Sequence, residues 1–274
     1  MSDSSVDLSR YAVRTSQLTR YYGSLAAVDH LGLEIPSGEI FGLLGPNGAG
    51  KTTTIKMLTT LLPPSSGSAF VAGFDVSVDP VQVRRHIGYV PQLLSADGAL
   101  TAEENMTLSA RLYSMPRSER AGRIREALRF MDLEEFAGKV VQTYSGGMIR
   151  RLEIAQALLH RPDVIFLDEP TIGLDPMARH AVWDRLIGLR KELGLTVLLT
   201  THDMEEADVL CDGLALMHHG KIVVTGTPAA IKAAVGPEAD LDDAFVKFCG
   251  ETIEEEEGEY RHVRARRKSI RQRG

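Results

Sequence analysis

At 274 residues, with 43% hydrophobic and 25% charged side chains, the chain can bury a full core as one large domain or two small ones. A net charge of -6 and an isoelectric point near 5.8 argue against a protein whose main business is coating nucleic acid. Two widely spaced cysteines, Cys211 and Cys249, without a CxxC pattern, argue against a disulfide framework or a zinc site and leave them as plain thiols.

No run approaches the roughly eighteen apolar residues needed to span a bilayer. The start, Met1-Ser2-Asp3-Ser4-Ser5-Val6-Asp7, lacks the basic and apolar regions of a signal peptide, so a soluble, cytoplasmic chain is expected. Over 11–40, short alternating apolar runs such as Leu31-Gly32-Leu33-Glu34-Ile35, broken by Pro36-Ser37-Gly38, predict a small antiparallel β layer. Ile40-Phe41-Gly42-Leu43-Leu44 reads as a buried strand feeding a glycine turn, and 52–62 as a helix stopped by Pro63-Pro64. Strand character returns over 67–76, and Ile87-Gly88-Tyr89-Val90 leads to Pro91-Gln92. From 101 to about 136 the pattern is helical, opened by Ala102-Glu103-Glu104 and continued by an amphipathic stretch over 117–131. A helical insertion is therefore placed at about 93–160.

The second half alternates: strand 164–167, helix 177–193, strand 196–200, a helix from Met204, then strands 213–217 and 221–225. Such alternation predicts a parallel sheet with helices on both faces. Helical stretches over 228–235 and 241–248 precede a charged end, in which 251–259 carries six glutamates and 261–273 seven lysines or arginines. Two readings of that end stay open: a disordered, solvated tail, or a basic segment touching anionic lipid headgroups.

Two glycine turns stand about one hundred residues apart. The first, Gly45-Pro46-Asn47-Gly48-Ala49-Gly50-Lys51-Thr52, lies between an apolar strand and a helix start. Its glycines let several backbone N–H groups point at one phosphate, and the helix adds its positive end. Lys51 is expected at the β and γ phosphates and the Thr52 hydroxyl on Mg²⁺. Val164-Ile165-Phe166-Leu167 ends in Asp168-Glu169-Pro170, and neighbouring strand residues point to opposite sides. Asp168 is assigned to Mg²⁺ through water and Glu169 to polarising the attacking water as general base. The second turn, Tyr144-Ser145-Gly146-Gly147-Met148, precedes a helix with an apolar face at Leu152, Ala155, Leu158 and Leu159. Ser145 would cap that helix and free the Gly146 and Gly147 amides for an anion. Alone, an ordinary cap accounts for it better. His202, just after a strand, is either structural or a γ-phosphate contact.

With these motifs in this order, the sequence resembles the ATP-binding cassette family over roughly 10–235. The resemblance implies an α/β phosphate-loop nucleoside triphosphate hydrolase fold with an antiparallel β layer and a helical insertion, followed by a C-terminal extension from 236 to 274. It implies that Tyr22 stacks on adenine, that the loop runs from Gly45 through Thr53, and that Gln92 is the switch glutamine sensing γ-phosphate and Mg²⁺. Ser145 to Met148 matches the signature, Ile165 to Glu169 the acidic strand, Gly173-Leu174-Asp175-Pro176 the loop communicating across the dimer, and His202 the switch histidine. It further implies a head-to-tail dimer, in which ATP on Lys51 of one copy is covered by Ser145 and Gly147 of the other. The helical insertion, particularly the segment after Gln92 through Asn105, would grip a membrane-spanning partner, with Gln92 moving that grip.

Within the family, 144–155 and Leu241-Asp242-Asp243-Ala244-Phe245 look like the ATPase subunits of multidrug or daunorubicin-resistance exporters, which pair with a separate permease at the cytoplasmic face of the membrane. Met148 replaces the commoner signature glutamine, and Ile149 and Gln156 stand where arginines are usual. Two other classes compete. A soluble cassette protein acting on ribosomes or DNA normally carries two cassettes or a long coiled coil, neither present here. A phosphate-loop kinase leaves Ser145-Gly146-Gly147 and His202 without a role.

Overall fold

The alternating pattern at the start of the chain resolves into two long strands, β1 (Tyr11–Tyr22) and β2 (Leu25–Pro36), paired antiparallel around Gly23, whose φ is 60°. The computed structural model describes residues 10–250, so the first nine residues and the acidic and basic runs beyond 250 lie outside the described residues. The lipid-contact reading falls on that outer part.

Next come β3 (Ile40–Leu44) and α1 (Lys51–Leu58). α1 stops four residues short of the expected end. Thr59 Oγ1 folds back onto Ile55 O at 2.8 Å and Thr60 takes a left-handed φ of 63°, so the chain leaves the helix before Pro63-Pro64 can break it. The strand expected over 67–76 is a hairpin of β4 (Ser66–Val71) and β5 (Phe74–Asp75), because Ala72 and Gly73 both adopt positive φ. α2 (Pro80–His86) was not expected from the sequence. It opens on Pro80 after Asp79 and buries only Val83, too little for an apolar period.

After β6 (Ile87–Val90) the chain carries α3 (Ala102–Leu112), α4 (Arg117–Phe130) and α5 (Gly146–Leu158), with 3₁₀ turns at Glu134–Phe136 and Val141–Thr143. α3 starts on a reciprocal Thr101–Glu104 capping box. The remaining elements are β7 (Val164–Asp168), α6 (Pro176–Leu193), β8 (Thr196–Thr201), α7 (Met204–Leu210), β9 (Gly213–His218), β10 (Lys221–Gly226), α8 (Pro228–Ala233) and α9 (Leu241–Cys249).

Two sheets result: an antiparallel one ordered β2-β1-β4-β5, and a six-stranded one ordered β10-β9-β3-β8-β7-β6. The second sheet is parallel except at one edge. β10 runs antiparallel to β9, since the turn at His219 and Gly220 (φ 46° and 80°) is too short for a crossover.

The central strands are apolar on both faces. Phe41, Leu43, Phe166 and Leu198 join the core shared with α1 and the antiparallel sheet, while Ile40, Ile165, Val197 and Leu199 join the core under the helices. Gly42 faces the second core, where a Cβ would lie 2.6 Å from Leu214 Cδ2 and 2.7 Å from Cys211 Sγ, so the glycine permits α7 to pack closely. Cys211 and Cys249 are buried and unbridged. α9 sits on β9 through Phe245, Cys249 and Leu216. Among the described residues, no helix is long and apolar enough to cross a membrane.

Candidate active site

In-register pairing delivers four segments to one edge of the six-stranded sheet. Leu44 pairs with Thr201, Asp168 with Thr200 and Val90 with Leu167, so the chain leaves β3, β8, β7 and β6 at a common carboxyl edge. Ligands of open parallel sheets bind at such edges.

The loop after β3 is held by backbone. Gly45 N donates to Thr201 O and Gly220 N donates to Ala49 O. A Cβ on Gly45 would lie 2.2 Å from Met217 O, and one on Gly50 2.4 Å from Ala27 O, so the loop is wedged between β2 and β9. Gly48 and Gly50 take φ of 82° and 107°, a region costly for side chains. Lys51 is buried at the first position of α1, and its ammonium donates to Gly45 O at 2.7 Å and Pro46 O at 3.2 Å. A pocket of about 140 Å³ opens here, walled by residues 46–53, Gln92 and Glu169.

The two carboxylates are separated as expected, but by a different cause. β7 ends at Asp168 and Glu169 adopts a left-handed φ of 50°, so a turn in the backbone, rather than strand alternation, sets their directions. Asp168 accepts from Thr200 Oγ1 at 2.6 Å and Thr52 Oγ1 at 3.1 Å. Glu169 meets His202 Nδ1 through Oε2 at 2.8 Å. Lys51 Nζ lies 3.1 Å from Glu169 Oε1, but off the hydrogen-bonding direction, and that buried oxygen has no hydrogen-bond donor among the described residues. Burial, with the Asp168 charge adding to it, pushes the nearby Tyr89 phenol up to about 12.

Ser145, Gly146 and Gly147 form no wall of this pocket. Ser145 is exposed and caps α5, accepting from Met148 N at 3.3 Å. A Cβ on Gly146 would lie 3.2 Å from Leu174 Cδ2, and one on Gly147 2.7 Å from Ala178 Cβ, so this turn packs on the start of α6. There Asp175 accepts from Ala178 N at 2.9 Å. Tyr22, at the tip of β1, is also outside the pocket walls; it is about half exposed and the Arg20 guanidinium sits 5.2 Å from its ring centroid.

Three residues that shape the site were not legible in the sequence. Thr200 donates to the Asp168 carboxylate and accepts from the Glu169 amide at 3.0 Å, tying both acidic residues to β8. Arg150 donates to the carbonyls of Pro91 and Gln92, both at 2.7 Å, and Glu153 accepts from the next loop residues. The available signals are a threonine pair ending an apolar strand and opposite charges three apart among Leu152, Ile154 and Ala155. Gln156, where an arginine was the usual residue, ties α5 to α3 through Ser109 Oγ at 2.9 Å and Asn105 O at 3.3 Å.

A glycine loop with a buried lysine, facing a strand-end carboxylate on a mostly parallel sheet, defines a phosphate-loop nucleotide-binding ATPase domain. The ABC transporter family model matches residues 28–172, and the chain belongs to that family as an ATP-binding ATPase.

More particularly, it is similar to the daunorubicin/doxorubicin resistance ATP-binding protein DrrA of Streptomyces peucetius, at 44% identity over 82% of this chain and 68% of that one. It is 45% identical to the doxorubicin resistance ATP-binding protein DrrA of Mycobacterium tuberculosis, over 78% of this chain. The match spans 64% of that mycobacterial relative's length. Among solved structures, the ATP-binding subunit of an ABC transporter superposes with a TM-score of 0.76 at 31% identity, covering 87% of this chain and 99% of that one. A dimeric ATP-binding cassette in a post-hydrolysis state, bound to ADP and Pi, superposes with a TM-score of 0.69 at 28% identity, over 78% and 98% of the two chains.

Proposed function

We propose that the chain is the ATP-hydrolysing subunit of an exporter, in which two copies close head to tail on ATP and drive a separate permease at the cytoplasmic face of the membrane. One observation carries the reading: the Lys51 loop walls a pocket, while Ser145 and Gly146 at the start of α5 are exposed outside it and Gly147 is buried beside Ala178. In the assembly proposed, Ser145, Gly146 and Gly147 meet the nucleotide on Lys51 from another copy. We infer drug, lipid or other hydrophobic cargo; the names of two relatives, which print daunorubicin or doxorubicin resistance, support the drug class.

In this reading, residues 45–53 wrap the triphosphate with backbone amides and Lys51, and Tyr22 offers its half-exposed ring to adenine. Thr52 Oγ1, on the pocket wall with Gln92, is a hard oxygen donor that suits Mg²⁺, and Asp168 Oδ1, 3.1 Å behind it and outside the wall, would hold the ion through water. Mg²⁺, when bound, neutralises charge developing on the phosphates. Glu169 orients and deprotonates the attacking water through Oε1, once Lys51, 3.1 Å away here, turns to the phosphates, while His202 holds Oε2. Asp175, capping α6 beside the second turn, would carry the state of one site to the other.

The test is purification of the tagged chain from membranes in mild detergent, with ATPase activity followed through the fractions. Co-purification of the activity with a multispanning protein is expected. Activity recovered instead with ribosomes or DNA-repair proteins would overturn the exporter reading.

A further inference from the structure

A buried ion pair outside the pocket holds one of its walls. Arg150 and Glu153 stand one turn apart on α5, almost fully buried, with Nη1 and Oε2 3.0 Å apart. Their other bonds all reach one loop. The guanidinium donates to Pro91 O and Gln92 O, and Glu153 Oε1 accepts from the Ser95 amide, the Ser95 hydroxyl at 3.1 Å and the Ala96 amide at 3.3 Å. That loop exposes Leu93 by 81% and Leu94 by 50%, so its own side chains anchor it little. Apolar residues of similar volume commonly replace a buried ion pair without loss of stability. What they cannot reproduce is the planar fork of an arginine spanning two successive carbonyls. The same helix begins at the exposed Ser145 cap, five residues before Arg150.

We propose that Arg150 and Glu153 are positioning residues that lock the loop carrying Gln92 to the helix that begins at Ser145. The Gln92 wall of a copy's own pocket and the turn that covers its partner's nucleotide then move as one body. This rests on the roles given to Gln92 and Ser145 above.

The test uses the full chain with Arg150→Met and Glu153→Met together, which keeps volume and removes both charges. Folding is expected to survive. Amide hydrogen exchange across 91–96 should accelerate by about tenfold or more as the loop comes free of α5. The Mg²⁺ concentration giving half-maximal hydrolysis should rise by about tenfold, the size expected when a group behind a metal ligand is lost, with ATP affinity measured without Mg²⁺ unchanged. Wild-type exchange and Mg²⁺ response would show a pair that serves packing alone and overturn the proposal. Should the double variant fail to fold, Arg150→Lys keeps the charge without the fork and should show the same acceleration across 91–96; wild-type exchange there overturns the proposal equally. Gln92→Ala separates the two readings. If its Mg²⁺ response is that of wild type, the role of Gln92 fails, while the exchange across 91–96 still decides the lock.

Discussion

The two glycine turns are built by different physics. The first takes its path from backbone: strands β2 and β9 press so closely on Gly45 and Gly50 that no side chain fits, and positive φ at Gly48 and Gly50 turns the loop. The second is shaped by side chains: the Ser145 hydroxyl caps α5, while Gly146 and Gly147 make room for Leu174 and Ala178. The first turn walls a pocket in its own chain and the second walls none of it. A glycine motif can thus serve ligand approach or helix packing, and only its surroundings distinguish the two.

Substitutions on each side can break or sharpen this contrast. The largest effect is expected at Glu169→Gln, which keeps the shape and the His202 contact but removes the base. Turnover should fall by at least about a hundredfold, the usual contribution of a general base, while ATP binding persists; phosphate release and equilibrium nucleotide binding measure the two. Wild-type turnover would remove Glu169 from that role. Next is Gly45→Ala, whose Cβ must displace the Met217 carbonyl. Overpacking of this kind costs about 1–3 kcal/mol, and both the thermal transition and ATP affinity should drop together. Ser145→Ala is milder, with a cap worth about 1 kcal/mol lost from α5; ATP affinity of the single chain should stay unchanged, and a matching loss of affinity would place the second turn in its own pocket after all.

The smallest effect concerns pH. Burial holds the His160 imidazole below its ordinary value of 6.5, with Nε2 on Ile87 O at 2.8 Å and the ring stacked on Tyr113 at 3.8 Å. The folded chain prefers the neutral ring, so this stability is present above the unfolded value and is lost as pH falls below it. Denaturation curves taken downward from pH 7 should therefore lose stability, and His160→Gln should flatten that slope.

Much of the fold was legible because its signals are contiguous. The run from Ile40 to Thr52 contains strand, loop and helix start in one stretch, and Val164 to Glu169 contains strand and acids. The assignment of Ser145 as a cap needed only its own helix. What was missed depends on partners distant in sequence: Arg150 and Glu153 bind a loop nearly sixty residues earlier, and Thr200 binds the Asp168 carboxylate thirty-two residues before it and the Glu169 amide thirty-one before it. α2 escaped because seven residues burying one valine carry no period, and the end of α1 was misplaced because Thr60 adopts a conformation that its residue type does not announce.

The account turns on whether the second turn completes another copy's site. Sedimentation of Glu169→Gln with and without ATP and Mg²⁺ tests this most directly, alongside the same chain carrying Ser145→Arg. The account predicts a nucleotide-dependent dimer for Glu169→Gln and a monomer that still binds ATP once Ser145→Arg is added. Dimers that form equally in both chains, or a mass indifferent to ATP, would contradict it.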